Sequence, residues 1–265
     1  MKNILDVVLF DMDGTLTEAR KEIKAETTNK LKELTRYSHV GVVTGSGMDY
    51  LTQQLKDIWA YNSEINPKNI TLMPCNGTLV YEWNNNEWEK TFSVSIRDYL
   101  GEESFNKLFQ ILISFINDIS TNHAQAFPLT GHFISFRSSL VNFCPVGRNA
   151  TDSDREKFIK YDKRHNLREN YLKSLKSALI FNGLTNLSVT LGGSTSFDIY
   201  PIGWDKTFSL RHFSGKRAWF IGDKCEGSGN DKKIYDKLKP HGRAFKTKSP
   251  SQTREIIDDI IKKLS

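Results

Sequence analysis

With 265 residues, the chain has room for one large domain or two modest ones, and 38% hydrophobic against 26% charged residues is an ordinary globular balance. No apolar run approaches the roughly 20 residues a membrane-spanning helix needs, and the sequence opens without a signal-peptide or Arg-rich transit pattern, so a cytoplasmic protein with no membrane partner is expected. The formal charge of +6 comes from bases scattered beside acids, as over 30–33 and 152–163; no basic run with interleaved aromatics marks a nucleic-acid groove, and an enzyme for anionic metabolites accounts for the same balance.

Residues 5–10 (LDVVLF) are a short, nearly unbroken apolar run, the pattern of a strand buried on both faces of a parallel sheet. The run empties into Asp-Met-Asp-Gly. Amphipathic spacing over 23–37 predicts a helix, and 39–43 (HVGVV) a second buried strand ending at Thr44-Gly45-Ser46. This order implies a right-handed crossover. In open parallel sheets the site gathers beyond the carboxyl ends of the strands, where Asp11 and Thr44 both fall.

Around Tyr81 the character changes. Residues 81–91 (YEWNNNEWEKT) predict a hairpin with Asn84-Asn85-Asn86 as its turn. A helix near 104–117, strands near 132–136 and 141–145, a charged helix over about 152–178, and strands near 187–191 and 196–200 read as an antiparallel α+β module. Residues 218–221 (AWFI) restore the parallel-sheet style before Gly222-Asp223, and an amphipathic helix over 252–264 follows. The expected class is α/β: a Rossmann-like parallel-sheet core from residues 1–81 and 189–265, with an inserted α+β cap domain (antiparallel sheet plus helices) over 82–188. Cys75, Cys144 and Cys225 are odd in number and widely spaced. They fit neither a disulfide framework nor a zinc site, and reduced thiols are expected.

The sharpest chemical signal is Asp11-Met12-Asp13-Gly14-Thr15-Leu16-Thr17 at the mouth of the first strand. The two carboxylates could hold a divalent cation, one through its side chain and one through its backbone. The same spacing lets Asp11 attack phosphorus while Asp13 moves a proton as general acid and base. Mg²⁺ is the expected ion, since it favours oxygen ligands and phosphate. Asp and Gly also build turns, but a turn needs no apolar strand feeding two acids. Thr44 could donate its hydroxyl to a transferring phosphoryl group. Lys206, in Gly203-Trp204-Asp205-Lys206, could neutralise nucleophile and phosphate. Asp223, with Asp231 further along the same Gly-rich loop, could complete the metal site. Each element is common alone; in this order and at strand ends, they resemble the four motifs of the haloacid dehalogenase superfamily of aspartate-nucleophile phosphotransferases.

The resemblance continues to the eukaryotic-type phosphomannomutases within that superfamily. It is carried by FDMDGTLTEARKEI (10–23), GVVTGS (41–46), CNG (75–77), FRSSLVNFCPVGR (136–148), DREKFIKYDKRHNLRENYL (154–172), GGSTSFDIYPIGWDK (192–206) and GDKCEGSGND (222–231). It implies conversion of mannose 6-phosphate and mannose 1-phosphate through a phosphorylated Asp11, feeding GDP-mannose synthesis, with Asp13, Thr44 and Lys206 assisting. It further implies Mg²⁺ at Asp11, Asp13 and Asp223, and a hexose 1,6-bisphosphate activator. Arg137 and Arg148 become cap-side phosphate ligands, Ser196 and Asp198 ligands of the sugar or its phosphate, and Arg20 a substrate contact from the core. A homodimer through the cap is implied as well. A sugar-phosphate phosphatase using the same aspartate is the alternative. The chain departs from the family pattern at Thr130, where another Arg is usual, at Cys75, usually acidic, and at Lys237, aligned with a cation-binding acid. Thr44 itself is closer to the wider superfamily.

Overall fold

The computed structural model describes residues 5–58 and 65–265. The first stretch of chain forms β1 (Asp6–Phe10), α1 (Ala25–Leu34), β2 (His39–Val43), α2 (Met48–Leu55), β3 (Ile70–Met73), β4 (Leu79–Asn84) and β5 (Glu87–Ser93). The middle stretch forms α3 (Ile96–Asn122), β6 (Ile134–Phe136), β7 (Val141–Phe143), α4 (Asp152–His165), α5 (Leu167–Phe181), β8 (Leu187–Gly192) and β9 (Ser196–Pro201). The last comprises β10 (Arg217–Gly222), α6 (Lys232–Leu238), β11 (Ala244–Lys246) and α7 (Pro250–Leu264). These elements make two compact units, one running to Ser93 and resuming over Gly203–Ser265, the other Val94–Ile202.

The first unit is built on a seven-stranded sheet in the order β11-β10-β1-β2-β3-β4-β5. Its first five strands run parallel, β4 is antiparallel to β3, and β5 is antiparallel to β4. β1 is buried along its whole length, as its unbroken apolar run requires of a strand covered on both faces. Val8 and Phe10 join a cluster with Leu31, Leu34, Ile257 and Ile260 of α1 and α7. Val7 and Leu9 point the other way, into a cluster with Phe213, Ile234 and Leu238. The alternation follows from the two-residue period of a strand. The register then fixes the site, because Phe10 lies opposite both Ile221 of β10 and Val42 of β2. Asp11, Thr44 and Asp223 therefore leave the sheet along one edge.

The second unit carries an antiparallel four-stranded sheet in the order β6-β7-β9-β8. Val141, Phe143, Phe197 and Ile199 turn to a core shared with Leu108, Leu112, Phe158 and Leu175 of α3, α4 and α5. The opposite face holds a polar row set by register: Ser135 is opposite Asn142, Asn142 opposite Asp198, and Asp198 opposite Thr190.

The architecture is the expected α/β core with an antiparallel α+β cap, but the units divide elsewhere than at 81/82 and 188/189. The β4–β5 hairpin pairs with β3 and extends the core sheet, while β9 lies between β7 and β8 in the cap sheet. A hairpin's own sequence specifies its turn, not the strand it docks on. Asn85 (φ 49°) and Asn86 (φ 68°) supply the two left-handed residues a tight hairpin turn needs, and Trp83 faces Trp88 edge-on at 5.3 Å. Trp88 packs on the core cluster of its own unit.

The predicted helix over 152–178 breaks at Asn166, whose φ of 50° ends α4. Asp162 accepts from the Arg168 backbone N–H and from its Nε, both at 2.7 Å, and Arg168 Nη1 reaches the Gly193 carbonyl at 3.3 Å. The Asp-x₅-Arg spacing thus serves a helix junction tied to the β8–β9 turn. The predicted helix near 104–117 extends over Ile96–Asn122, interrupted at Gly101 (φ 74°). Among the described residues no helix is long and apolar enough to cross a membrane.

Candidate active site

Asp11 follows β1 directly, and its backbone N–H continues the ladder to Ile221 at 2.9 Å. Lys206, fully buried at the start of the 3-10 segment Lys206–Phe213, sends its ammonium to Asp11 Oδ1 and to Asp231 Oδ1, the latter at 2.5 Å. Asp205 accepts from the Thr207 N–H at 3.0 Å and pairs with Lys233 at 2.8 Å, which anchors the turn presenting Lys206. Burial, with Asp231 and Asp223 nearby, raises the Asp11 carboxyl to about 7 despite the opposing pull of Lys206. Burial disfavours charge on Lys206 too, but Asp11 and Asp231 outweigh it and hold its pKa above the ordinary value.

Asp11, Asp223 and Asp231 bring a carboxylate oxygen each within 4.8 Å of one another. Burial raises Asp223 as well, and its Oδ1 is buried with no hydrogen-bond partner. An orphaned carboxylate oxygen among two further acids is the donor set of an oxygen-favouring cation. Two glycines keep the space open. A Cβ on Gly14 (φ +85°) would sit 2.5 Å from Asp223 Oδ2, and one on Gly222 would sit 2.6 Å from Asp231 Oδ2. Asp231 Oδ2 is already engaged by the Lys224 N–H at 3.0 Å, so both its oxygens have protein donors.

The Asp13 carboxylate lies outside this cluster. Its Oδ1 accepts from the Arg20 backbone N–H at 2.9 Å and from Gln54 Nε2 at 3.2 Å. Arg20 is exposed and takes a left-handed φ of 64°. Thr44 is buried at the end of β2, and its hydroxyl oxygen accepts from the Ser46 N–H at 3.2 Å, leaving the hydroxyl hydrogen to donate.

In the cap, Asn142 ties the polar row together, donating to Asp198 Oδ1 at 2.7 Å and to Ser196 Oγ at 3.0 Å. Ser196, Asp198 and Asn142 are all buried. Burial depresses the Arg148 pKa, with Arg137 and Arg155 adding like-charge pressure and Asp198 opposing it. Arg137, Arg148, Arg155 and Asp198 thus form one cationic neighbourhood suited to an anion. Arg155 is one residue that the sequence did not single out. Its guanidinium donates to Thr195 Oγ1 at 2.8 Å and to the Arg148 carbonyl at 3.4 Å, and its Nε is buried without a partner. In sequence it reads as one more charge in the first turn of α4, behind the Thr151–Asp154 capping box.

The departures from the family pattern have local explanations. Thr130 donates Oγ1 to the Val146 carbonyl at 2.8 Å, and a Cβ on Gly147 would meet Thr130 Oγ1 at 2.5 Å. Thr130 therefore shapes the turn that carries Arg148. His132 holds Ser135 at 3.0 Å. Cys75 is buried and in no disulfide, in a left-handed pair with Asn76, whose N–H donates to the Thr44 carbonyl at 2.7 Å. Lys237 is exposed on α6. Cys225 is buried and in no disulfide, and burial pushes its thiol up to about 12.

A model of the eukaryotic phosphomannomutase family matches residues 27–263. The phosphomannomutases of Glycine max and Saccharomyces cerevisiae are each 33% identical to the chain, over 248 and 262 residues, covering 93% and 96% of it and 92% and 93% of their own lengths. Phosphomannomutase 2 of Dictyostelium discoideum is also 33% identical, over 96% of each chain. Among solved structures, the IMP-bound, N-terminally truncated IMP-nucleotidase of Plasmodium falciparum superposes with a TM-score of 0.65 at 16% identity, over 98% of this chain and 69% of that one, a likeness of fold. The family match and the full-length relatives agree: the chain belongs to the eukaryotic phosphomannomutase family.

Proposed function

We propose that the chain interconverts mannose 6-phosphate and mannose 1-phosphate, with Asp11 carrying the phosphoryl group between sugars. The observation that carries this reading is the buried Lys206 between Asp11 and Asp231, beside an Asp223 oxygen without a partner. With Oδ1 held by Lys206, the other oxygen of Asp11 attacks a phosphorus of hexose 1,6-bisphosphate, the activator. The Asp11 O–P bond forms as the P–O bond to the sugar breaks, and Asp13 gives its proton to the departing sugar oxygen. In the return half-reaction, ionised Asp13 takes the proton of a hexose monophosphate hydroxyl, whose oxygen accepts the phosphoryl group from Asp11. Thr44 donates to a phosphoryl oxygen.

Asp11, the Asp13 carbonyl and Asp223 would hold Mg²⁺, with Asp231 through water. The ion would supply charge neutralisation for the phosphoryl oxygens. Arg137 and Arg148 bind the phosphate distal to the reacting one, Ser196 and Asp198 the sugar, and Arg20 the substrate from the core. Family membership also supports a homodimer through the cap, and three buried cysteines in no disulfide fit a reducing cytoplasm.

A coupled assay tests this reading. Conversion of mannose 1-phosphate should require hexose 1,6-bisphosphate and Mg²⁺, with little inorganic phosphate released. Phosphate release at a rate comparable to or above isomerisation would make the chain a sugar-phosphate phosphatase with the same nucleophile.

A further inference from the structure

Asp13 has to change protonation twice per cycle while keeping its aim, and the structure shows what holds it. Gln54, near the end of α2, is 2% exposed although its side chain is polar. Its Nε2 donates to Asp13 Oδ1 at 3.2 Å, and its Oε1 accepts from the buried Thr17 hydroxyl at 2.7 Å. Its main-chain carbonyl accepts from the Ile23 N–H at 2.8 Å. Gln54 thus closes the loop that follows β1 at three points: Asp13, Thr17 and Ile23.

The amide's orientation is fixed by chemistry. Carboxylate Oδ1 of Asp13 can only accept, so the NH₂ must face it and the carbonyl must face Thr17. The Arg20 backbone N–H donates to the same Oδ1 at 2.9 Å. With two donors on it, Oδ1 is the poor place for a proton. The proton of the acid form therefore resides on Oδ2, the oxygen to which neither donor is bound.

We infer that Gln54 is a positioning residue for the general acid and base: it pins Asp13 Oδ1 and so assigns all proton transfer to Oδ2, directed at the sugar oxygen. The inference rests on Asp13 having the acid–base role proposed above. No new covalent step is involved. The proton passes from Oδ2 to the leaving oxygen and back from the incoming hydroxyl, while Oδ1 stays hydrogen-bonded throughout.

The test compares leaving groups. A departing sugar oxygen needs a proton, whereas 4-nitrophenolate leaves without one. For Gln54→Met, close in length and able to make neither hydrogen bond, kcat on the hexose phosphates should fall about ten- to a hundredfold, part of the usual contribution of general acid–base catalysis, with KM within about twofold. Phosphorylation of Asp11 by 4-nitrophenyl phosphate should stay within about threefold of the unaltered protein. A purely structural role would depress both substrates together. Equal losses on both, or no loss on hexose phosphate, overturns the inference. If Gln54→Met does not fold, as judged by its circular dichroism, Thr17→Val serves instead: it keeps Gln54 but frees the amide, and the same selectivity is expected at smaller size. Asp13→Asn separates the two claims. If it too spares 4-nitrophenyl phosphate and loses the sugar reaction while Gln54→Met shows no selectivity, only the role of Gln54 fails. If Asp13→Asn shows no selectivity, the acid–base assignment of Asp13 fails with it.

Discussion

Lys206→Met is expected to abolish detectable turnover and to lower the free energy of unfolding by about 3–5 kcal/mol, the usual cost of removing one partner from a buried ionic group. Lys206 has no exposed surface and is the cation held between Asp11 and Asp231. Without it, three acids face each other, Asp11 and Asp231 buried and Asp223 half-buried. Protonation relieves that repulsion, and the Asp11 pKa already stands near 7. An acid whose folded-state pKa lies above its unfolded value favours the fold at low pH and loses that contribution as pH rises through the folded value. The stability deficit of Lys206→Met should therefore be smaller in mildly acidic than in mildly alkaline buffer, as read by urea denaturation at both. A deficit that does not change with pH would mean that repulsion among the acids is not its cause.

Arg148→Leu should separate function from stability in the opposite sense. Loss of a charge-assisted contact to phosphate costs about 1.5–3 kcal/mol, a fall of roughly ten- to a hundredfold in kcat/KM for hexose phosphates. Phosphorylation of Asp11 by acetyl phosphate, which offers no distal phosphate, should be unaffected. Stability should hold or rise slightly, since burial and the Arg137 charge both press against the Arg148 guanidinium. An equal loss with acetyl phosphate would remove Arg148 from distal-phosphate recognition.

Much of this site is legible in the sequence because its residues sit where strand patterns end. The apolar run of β1 points at Asp11, β2 at Thr44 and β10 at Asp223, and a parallel sheet brings those ends to one edge. What remained hidden depended on pairing across the chain. The hairpin's two left-handed asparagines declare a turn but not that β5 would become the edge of the core sheet. Residues 152–178 carry helical spacing throughout, and only the tertiary pair Asp162–Arg168 and the left-handed Asn166 reveal the break. Arg155 and Gln54 were invisible for a related reason. One resembles a solvated helix charge and the other an exposed amide, yet Arg155 lies behind Arg148 and Gln54 is buried against Asp13. The Phe143–Phe197 stack, with rings 18° apart, likewise follows from register rather than from local sequence.

The measurement that bears most directly on the account is chemical identification of the phosphorylated residue. After brief mixing with hexose 1,6-bisphosphate and Mg²⁺, acid quenching and peptide mass analysis should find a single phosphoryl group on Asp11, and chasing with mannose 6-phosphate before the quench should discharge it into bisphosphate. Absence of the label from Asp11, or its discharge to inorganic phosphate alone, would contradict a mutase that works through this aspartate.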